Sequence, residues 1–165
     1  MAVSTRAWIG IGANLGDPIA AVRAAIAAFD DVPGLRVAQR SSLYRSTPVG
    51  PGMDGQPDYI NAVVGVDTAL SPAALLDTLF AIELHFGRQR SVRNAARTLD
   101  LDLLLYGEDI VDQPGLQVPH PRMHLRAFVL QPLAEVAPDT LIPGQGRADA
   151  LARALPEQGI TRLPD

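Results

Sequence analysis

The 165-residue sequence contains no cysteine and no lysine, and only 5% of its residues are aromatic. Without cysteine, disulfides, thiolate metal ligands and cysteine nucleophiles are excluded. Without lysine, a phosphate-loop lysine and a Schiff-base lysine are excluded as well. A long apolar run is also missing, since the stretch "AWIGIGANLG" is short and broken by glycines. We therefore expect neither a signal peptide nor a membrane span. The expected location of the protein is the cytoplasm.

The charge balance argues against a nucleic-acid partner. The net charge is −4, and all fourteen basic residues are arginine. A general nucleic-acid surface needs a basic excess, so we expect no nucleic-acid partner. As separate expectations, the partners are small molecules and the protein is a monomer. With 47% hydrophobic residues, the chain has enough apolar surface for one domain over residues 1–165.

The order of predicted elements indicates the fold class. Cap-then-proline pairs at Asp17-Pro18 and Ser71-Pro72 each predict the start of a helix. The predicted strands are Ala7–Gly12, Leu35–Arg45, Tyr59–Asp67 and the leucine- and aspartate-rich run from residue 99. The resulting βαββαβ order is typical of an α+β, ferredoxin-like sandwich, with an antiparallel sheet flanked by helices.

Two segments are too irregular for helix or central strand. The stretch "STPVGPGMDGQPD" over residues 46–58 carries three prolines and three glycines, and residues 88–97 carry four arginines. Loops of this length in a compact domain are commonly functional, so we predict two long active-site loops. The terminal "PEQGITRLPD" is predicted to be a loosely held end.

Two aspartates interrupt the strand "RTLDLDLLL". Side chains alternate along a strand, so four leucines are expected to share one face: Leu99, Leu101, Leu103 and Leu105. Asp100 and Asp102 would then share the other face. A solvated strand face is the simpler interpretation, but the paired carboxylates beside an arginine-rich loop favour a Mg²⁺ site. Guanidinium groups bind phosphate oxygens bidentately, so Arg88, Arg90 and Arg97 are predicted to bind polyphosphate.

Other polar residues have both a structural and a functional interpretation. Glu83 falls in an apolar helix stripe, and either reaches water at its edge or accepts hydrogen bonds from a substrate amine or an arginine. Tyr59 and Asn61 share one strand face. They are either ordinary core residues or bind a flat heterocycle, with Tyr59 stacking on the ring and Asn61 hydrogen-bonding to its edge. His120 and Arg126, in "VPHPRMHLRAF", are candidates for phosphate contact, although His120 in its proline-flanked turn is equally explained as structural.

Several of these segments, at matching order and spacing, resemble the 6-hydroxymethyl-7,8-dihydropterin pyrophosphokinases of folate biosynthesis. The segments are "IGIGANLGD", "SSLYRSTPVGP", "QPDYINAVV", "IELHFGRQR", "RTLDLDLLLYG" and "VPHPRMHLRAFVLQPLAEVAPD". The resemblance implies transfer of pyrophosphate from Mg-ATP to the hydroxymethyl group of the pterin, with release of AMP. It also implies two Mg²⁺ ions bound by Asp100 and Asp102.

The resemblance further implies a role for each matching residue. Those implied for catalysis and nucleotide binding are Glu83, Arg88, Arg90, Arg97, Asp100, Asp102, Leu103, His120 and Arg126. Those implied for pterin binding are Ser46, Pro48, Val49, Tyr59, Asn61 and Phe128.

Two other functions stay open from the residues themselves. A magnesium-dependent phosphohydrolase would explain the aspartates and arginines but needs no aromatic-and-amide pocket. A non-catalytic ferredoxin-like module that binds a small ligand would explain the fold but not the paired aspartates beside an arginine loop.

Overall fold

The computed structural model describes residues 4–47, 57–86 and 99–164. Within these ranges the chain forms an antiparallel sheet with four helices, a mixed α/β architecture as predicted. The strands are β1 (Thr5–Ala13), β2 (Leu35–Arg40), β3 (Tyr44–Ser46), β4 (Tyr59–Thr68), β5 (Asp100–Tyr106), β6 (Val111–Gln113), β7 (Leu116–Val118), β8 (Leu141–Ile142), β9 (Gly146–Arg147) and β10 (Ile160–Arg162). The helices are α1 (Pro18–Phe29), α2 (Pro72–His85), α3 (Ala127–Val136) and α4 (Ala148–Ala154), with a 3-10 turn at Met123–Leu125.

The main sheet has six strands, and all its pairings are antiparallel. Its order is β10-β3-β4-β1-β5, and β2 also pairs with β4. Strands β6 and β7 form a separate hairpin, as do β8 and β9. The central pair is therefore β1 and β4, with β5 along the other edge of β1.

Both predicted helix starts are confirmed. The Asp17 carboxylate accepts a hydrogen bond from the Ala20 N–H at 3.1 Å, and Pro18 is the first residue of α1. The Ser71 hydroxyl accepts from the Ala74 N–H at 3.1 Å in the same way at the start of α2. Each side chain satisfies an N–H group that the first helical turn leaves without a partner.

The sheet separates two hydrophobic cores. On one face, Ile9 and Ile11 of β1 belong to a core that includes Phe29 of α1 and Leu79 of α2. On the other face, a second core joins Trp8 to α3 and α4. None of the helices in the described ranges has the length and apolar character that a membrane crossing requires.

The predicted strand Leu35–Arg45 is two strands. Arg40 pairs with Val64 and Tyr44 pairs with Asn61. The three residues between Arg40 and Tyr44 therefore lie opposite only two residues of β4. At this irregularity the Ser41 N–H donates to the Val63 carbonyl and the Ser41 hydroxyl accepts from the Val63 N–H, both at 2.9 Å. The hydroxyl takes the place of a backbone acceptor where the ladder is interrupted.

Two further predictions from the pattern are wrong. Leu105 does not share the face of Leu99, because a register shift in the β1–β5 pairing turns Leu105 into the second core. The C-terminal segment is not a loose end, since Ile160 to Arg162 pair with Ser46 to Tyr44 as β10. The edge of β3 supplies free backbone groups that this short strand uses.

Gly65 provides a test of the second core. A Cβ atom at Gly65 would lie 2.7 Å from the Trp8 ring, closer than two carbon atoms approach without displacement. Trp8 is itself buried among α3 and α4 side chains. We therefore expect Gly65→Ala to lower the free energy of unfolding by about 2–3 kcal/mol, measured by urea denaturation.

The matched control is the same substitution in a Trp8→Leu background, where the ring is gone. There Gly65→Ala should cost less than about 1 kcal/mol, so the two changes should be strongly non-additive. Additive effects would contradict this packing.

Candidate active site

A cavity of about 540 Å³ opens on the face of the sheet that α3 covers. It lies where the second core ends, so that polar side chains replace apolar ones. Seven of the predicted site residues line it: Ser46, Tyr59, Asn61, Asp100, Asp102, Arg126 and Phe128. Residues predicted from separate segments of the chain therefore meet at one concave site.

The register of three strands sets the floor of this cavity. Gly12 of β1 pairs with Asn61 of β4 on one side and with Asp100 of β5 on the other. Gly10, two residues earlier, pairs with Asp102. Adjacent strands lie about 4.8 Å apart, so Asn61 and Asp100 stand about 10 Å apart across a glycine that carries no side chain. Because Gly10 and Gly12 have no side chains, the floor of the cavity leaves space for a ligand.

The Asn61 amide is held in a fixed orientation. Asn61 is only 4% exposed, and its Nδ2 donates to the Ser46 hydroxyl at 2.6 Å. A Cβ atom at Gly12 would lie 3.2 Å from the Asn61 Oδ1, so this oxygen lies over the glycine floor. A buried amide with a fixed orientation offers a specific pattern of donors and acceptors to a ligand.

The aromatic and basic wall comes from the start of α3. Phe128 lies in its first turn, and the Arg126 guanidinium carbon lies 5.4 Å from the centre of the Phe128 ring. This distance is within the range of a cation–π contact. Tyr59, the first residue of β4, contributes a second aromatic ring to the lining.

Glu135 fixes the other end of α3 to the sheet. Its carboxylate accepts hydrogen bonds from the Ser42 N–H at 3.0 Å, the Ser42 hydroxyl at 2.8 Å and the Tyr44 hydroxyl at 2.7 Å. Burial alone would raise the pKa of Glu135, but these bonds and the Arg162 charge outweigh it and hold the pKa below its ordinary value. Burial, followed by the bond to Glu135, raises the pKa of Tyr44.

A second cavity of about 320 Å³ lies beside the first, and Asp102 lines both. Leu103 and His120 line this smaller cavity together with Leu76 and Phe80 of α2. Its lining is mainly apolar, with a few polar groups around Asp102 and His120. Asp102 therefore stands at the border between two compartments of different chemistry.

The His120 ring has a defined hydrogen-bonding state. The His120 backbone N–H donates to the Leu104 carbonyl at 2.9 Å, and the ring Nδ1 accepts from the Arg122 backbone N–H at 3.2 Å. Burial, followed by the charges of Arg126 and Arg122, lowers the pKa of His120. The neutral ring with Nδ1 as acceptor carries its proton on Nε2, which leaves an N–H donor.

Glu83 is buried rather than solvated at the edge of its stripe. It is 2% exposed, and its carboxylate accepts from the Leu101 N–H at 2.8 Å. Leu101 lies between the two aspartates of β5, so Glu83 holds the strand that carries them. Glu83 lines neither of these two cavities.

The donor set around the aspartates fits magnesium. Among the described residues, no group of three or more His, Cys, Asp or Glu side chains is placed to hold a metal ion. Two carboxylates on one face of a strand leave coordination positions for water and substrate phosphates, which is how Mg²⁺ is usually bound. The arrangement does not resemble a closed structural metal site.

Comparison with known proteins identifies the family. Residues 8–138 match the family model described as 7,8-dihydro-6-hydroxymethylpterin-pyrophosphokinase (HPPK). The chain belongs to the HPPK family. A relative from Pseudomonas aeruginosa, named 2-amino-4-hydroxy-6-hydroxymethyldihydropteridine pyrophosphokinase, is 47% identical over 96% of this chain and 97% of its own length. A relative of the same name from Haemophilus influenzae is 41% identical over 95% of this chain and 97% of its own.

Solved structures have the same fold. An HPPK-DHPS crystal structure in complex with substrates superposes with a TM-score of 0.75 at 11% identity, over 97% of this chain and 46% of that one. The Plasmodium falciparum HPPK-DHPS wild type with pteroate gives a TM-score of 0.73 at 11% identity, over 91% of this chain and 42% of that one. This chain thus spans less than half the length of those solved chains.

Some predicted site residues of this HPPK-family chain lie outside the described ranges: Pro48, Val49, Arg88, Arg90 and Arg97. In turn, the cavity lining includes residues that the sequence reasoning missed. These are Gly10, Ile11, Gly12, Thr47, Ala62, Leu125, Val129, Gln158 and Ile160. Glycines at alternate positions of a predicted strand were a usable signal, since they predict one face without side chains. The contribution of Gln158 has no such local signal.

The environment of His120 leads to a titration experiment. We expect the imidazole C–H resonances of His120 to titrate with a midpoint below the ordinary value of 6.5, as measured by proton NMR. Replacing Arg126 by Gln removes a positive charge, so the midpoint should rise toward that value. Arg153→Gln, an exposed change of equal charge on α4, should leave it unchanged. A His120 midpoint unaffected by Arg126→Gln would contradict this arrangement of charges.

Proposed function

We propose that this pyrophosphokinase transfers the pyrophosphoryl group of ATP to the hydroxymethyl oxygen of 6-hydroxymethyl-7,8-dihydropterin in folate biosynthesis. The new bond joins the pterin oxygen to the β-phosphorus, the bond from that phosphorus to the oxygen of AMP breaks, and the hydroxyl proton is lost. The observation that carries the proposal is that one cavity combines two aromatic rings and a fixed amide with the paired aspartates. Both substrates are small molecules.

The larger cavity is the proposed pterin site. A flat bicyclic ring is accommodated above Gly12, where the floor has no side chain. The Tyr59 and Phe128 rings are proposed to contact its two faces, and Asn61 its polar edge. Ser46 orients Asn61 through their 2.6 Å hydrogen bond. Pro48 and Val49 follow β3 in the chain and are proposed to complete this pocket.

The smaller cavity is the proposed nucleotide site. Its apolar lining with Leu103 suits an adenine ring, and the neutral His120 offers its Nε2–H to a phosphate or ribose oxygen. Glu83 acts in this proposal through its bond to Leu101, which fixes β5 beside the nucleotide. Arg126 is proposed to bind phosphate, and Arg88, Arg90 and Arg97 are proposed to do the same.

Asp100 and Asp102 are the proposed ligands of two Mg²⁺ ions. When bound, magnesium would neutralise the phosphate charge and polarise the reacting phosphoryl group. The two carboxylates and their strand fix where the charged end of the nucleotide meets the pterin hydroxyl. No side chain of the described cavity lining is an evident general base, so positioning and electrostatic stabilisation are the proposed sources of rate acceleration.

We also propose a scaffold class, a domain organisation and a cellular location for the protein. The strand order β5-β1-β4-β2 and the intervening helices support a ferredoxin-like scaffold, in which residues 46–58 and 88–97 are active-site loops. The chain is proposed to work as one domain and as a cytoplasmic monomer, without a nucleic-acid partner.

Product analysis tests the reaction directly. The purified protein is incubated with Mg-ATP, with and without 6-hydroxymethyl-7,8-dihydropterin, and AMP and ADP are separated by chromatography. AMP that forms only with the pterin, without ADP, is the expected result. ADP formation, or phosphate release that ignores the pterin, would contradict the proposal and favour a phosphohydrolase. Absence of any turnover would favour a ligand-binding module.

Asp102 provides a test of the metal-binding pair. Asp102→Asn removes one carboxylate charge at the border of the two cavities, so kcat should fall by roughly 10²–10³-fold with the fold retained. The matched control is Asp109→Asn, an identical change at an exposed turn position. The control should keep the full rate of AMP formation. An Asp102→Asn enzyme with more than half of the original kcat would contradict the assigned role.

A further inference from the structure

The C-terminal segment forms part of the cavity wall, although it lies beyond the residues that match the family model. Gln158 and Ile160 line the larger cavity. Ile160 pairs with Ser46 in the β10–β3 ladder, and the Thr47 N–H donates to the Gly159 carbonyl at 3.2 Å. The segment is thus attached to the end of β3, next to the residue that orients Asn61.

The same segment also reaches the start of α3. Helix α3 begins after Arg126, whose side chain makes no capping hydrogen bond. Gln158 supplies that bond instead: its Oε1 accepts from the Ala127 N–H at 2.9 Å. Its Nε2 donates to the Leu125 carbonyl at 3.1 Å. Both polar groups of one amide therefore bind the backbone on the two sides of Arg126.

The residues held in this way are those of the aromatic and basic wall. Arg126 and Phe128 flank Ala127, and both line the cavity. The first N–H groups of a helix have no partner within the helix, so the start of α3 depends on an external acceptor to keep its geometry. Gln158 is 31 residues from Ala127 in sequence, which makes the contact a tertiary one rather than a local cap.

We propose that Gln158 is a positioning residue for pterin binding, an inference that rests on the proposed function. It bridges the β3 side of the cavity to the start of α3, and so sets where Phe128 and Arg126 stand relative to Asn61. It acts through the helix backbone. The nucleotide cavity does not include Gln158 or β10, so any loss of ATP affinity should come through Arg126 alone and be smaller than the loss of pterin affinity.

Three variants separate the two hydrogen bonds from general stability. Gln158→Met keeps the length of the side chain and removes both bonds. Gln158→Glu keeps an acceptor for the Ala127 N–H but cannot donate to the Leu125 carbonyl. Asp17→Ala is the matched control, because it also removes a side-chain cap from a helix, and α1 lines neither of the two cavities described above.

The experiment measures pterin and nucleotide affinity by calorimetry, with KM and kcat for AMP formation. For Gln158→Met we expect the Kd and KM for the pterin to rise about tenfold, which corresponds to roughly 1.4 kcal/mol. In the same variant the Kd of a non-hydrolysable ATP analogue should rise by less than about threefold, through Arg126, and kcat should change less than about twofold. Gln158→Glu should fall between the wild type and Gln158→Met, and Asp17→Ala should leave pterin affinity unchanged.

An unchanged pterin Kd in Gln158→Met, or equal losses in Gln158→Met and Asp17→Ala, would overturn the inference. Amide hydrogen exchange at Ala127 gives a readout that does not depend on the reaction. Faster exchange in Gln158→Met supports the contact, and unchanged exchange overturns it. If the wild-type protein does not bind the pterin, the proposed function fails, and pterin positioning by Gln158 fails with it. If the wild type binds and Gln158→Met binds equally well, only this inference fails.

Discussion

The antiparallel register of β1 between β4 and β5 is the constraint on which the candidate site depends. It places Asn61, Gly12 and Asp100 in one row across three strands, and Asp102 in the next row beside Gly10. The period of two along each strand then keeps these side chains on one face, while the isoleucines of β1 pack against α1 and α2 on the other. A slip of one residue would bury the aspartates among apolar side chains.

The wall of the site is held from both ends of α3. Glu135 near its C-terminal end binds Ser42 and Tyr44, and Gln158 binds the backbone at its start. Both contacts connect α3 to the β3 region of the sheet, whose Ser46 fixes the Asn61 amide. The rings and the amide that we propose to recognise the pterin are therefore positioned by one connected set of contacts.

Local sequence signals predicted the elements well where one physical rule dominates. Asp17-Pro18 and Ser71-Pro72 mark helix starts because the cap and the proline act within a single turn. The face of Asp100 and Asp102 followed from strand alternation. The same rule predicted the wrong face for Leu105. The register shift depends on the partner strand β1, and alternation within β5 alone does not reveal it.

Tertiary partners explain the other differences between prediction and structure. The C-terminal strand β10 exists because the edge of β3 is available, and its own composition is that of a polar tail. No local sequence pattern marks Gln158, because its role comes from contacts with the start of α3, 31 and 33 residues earlier in the chain. The motif resemblance, by contrast, selected residues from distant segments, and those that lie in the described ranges, except Glu83, line two adjoining cavities.

The glycine row of Gly10 and Gly12 is proposed to form the floor of a pterin site, and the pterin affinity of Gly12→Ala tests this assignment. The added Cβ atom would lie 3.2 Å from the Asn61 Oδ1 and occupy the floor between Asn61 and Asp100. We expect the Kd for 6-hydroxymethyl-7,8-dihydropterin to rise at least about tenfold, or roughly 1.4 kcal/mol, while affinity for an ATP analogue is retained. Unchanged pterin affinity in a folded Gly12→Ala protein would contradict this assignment.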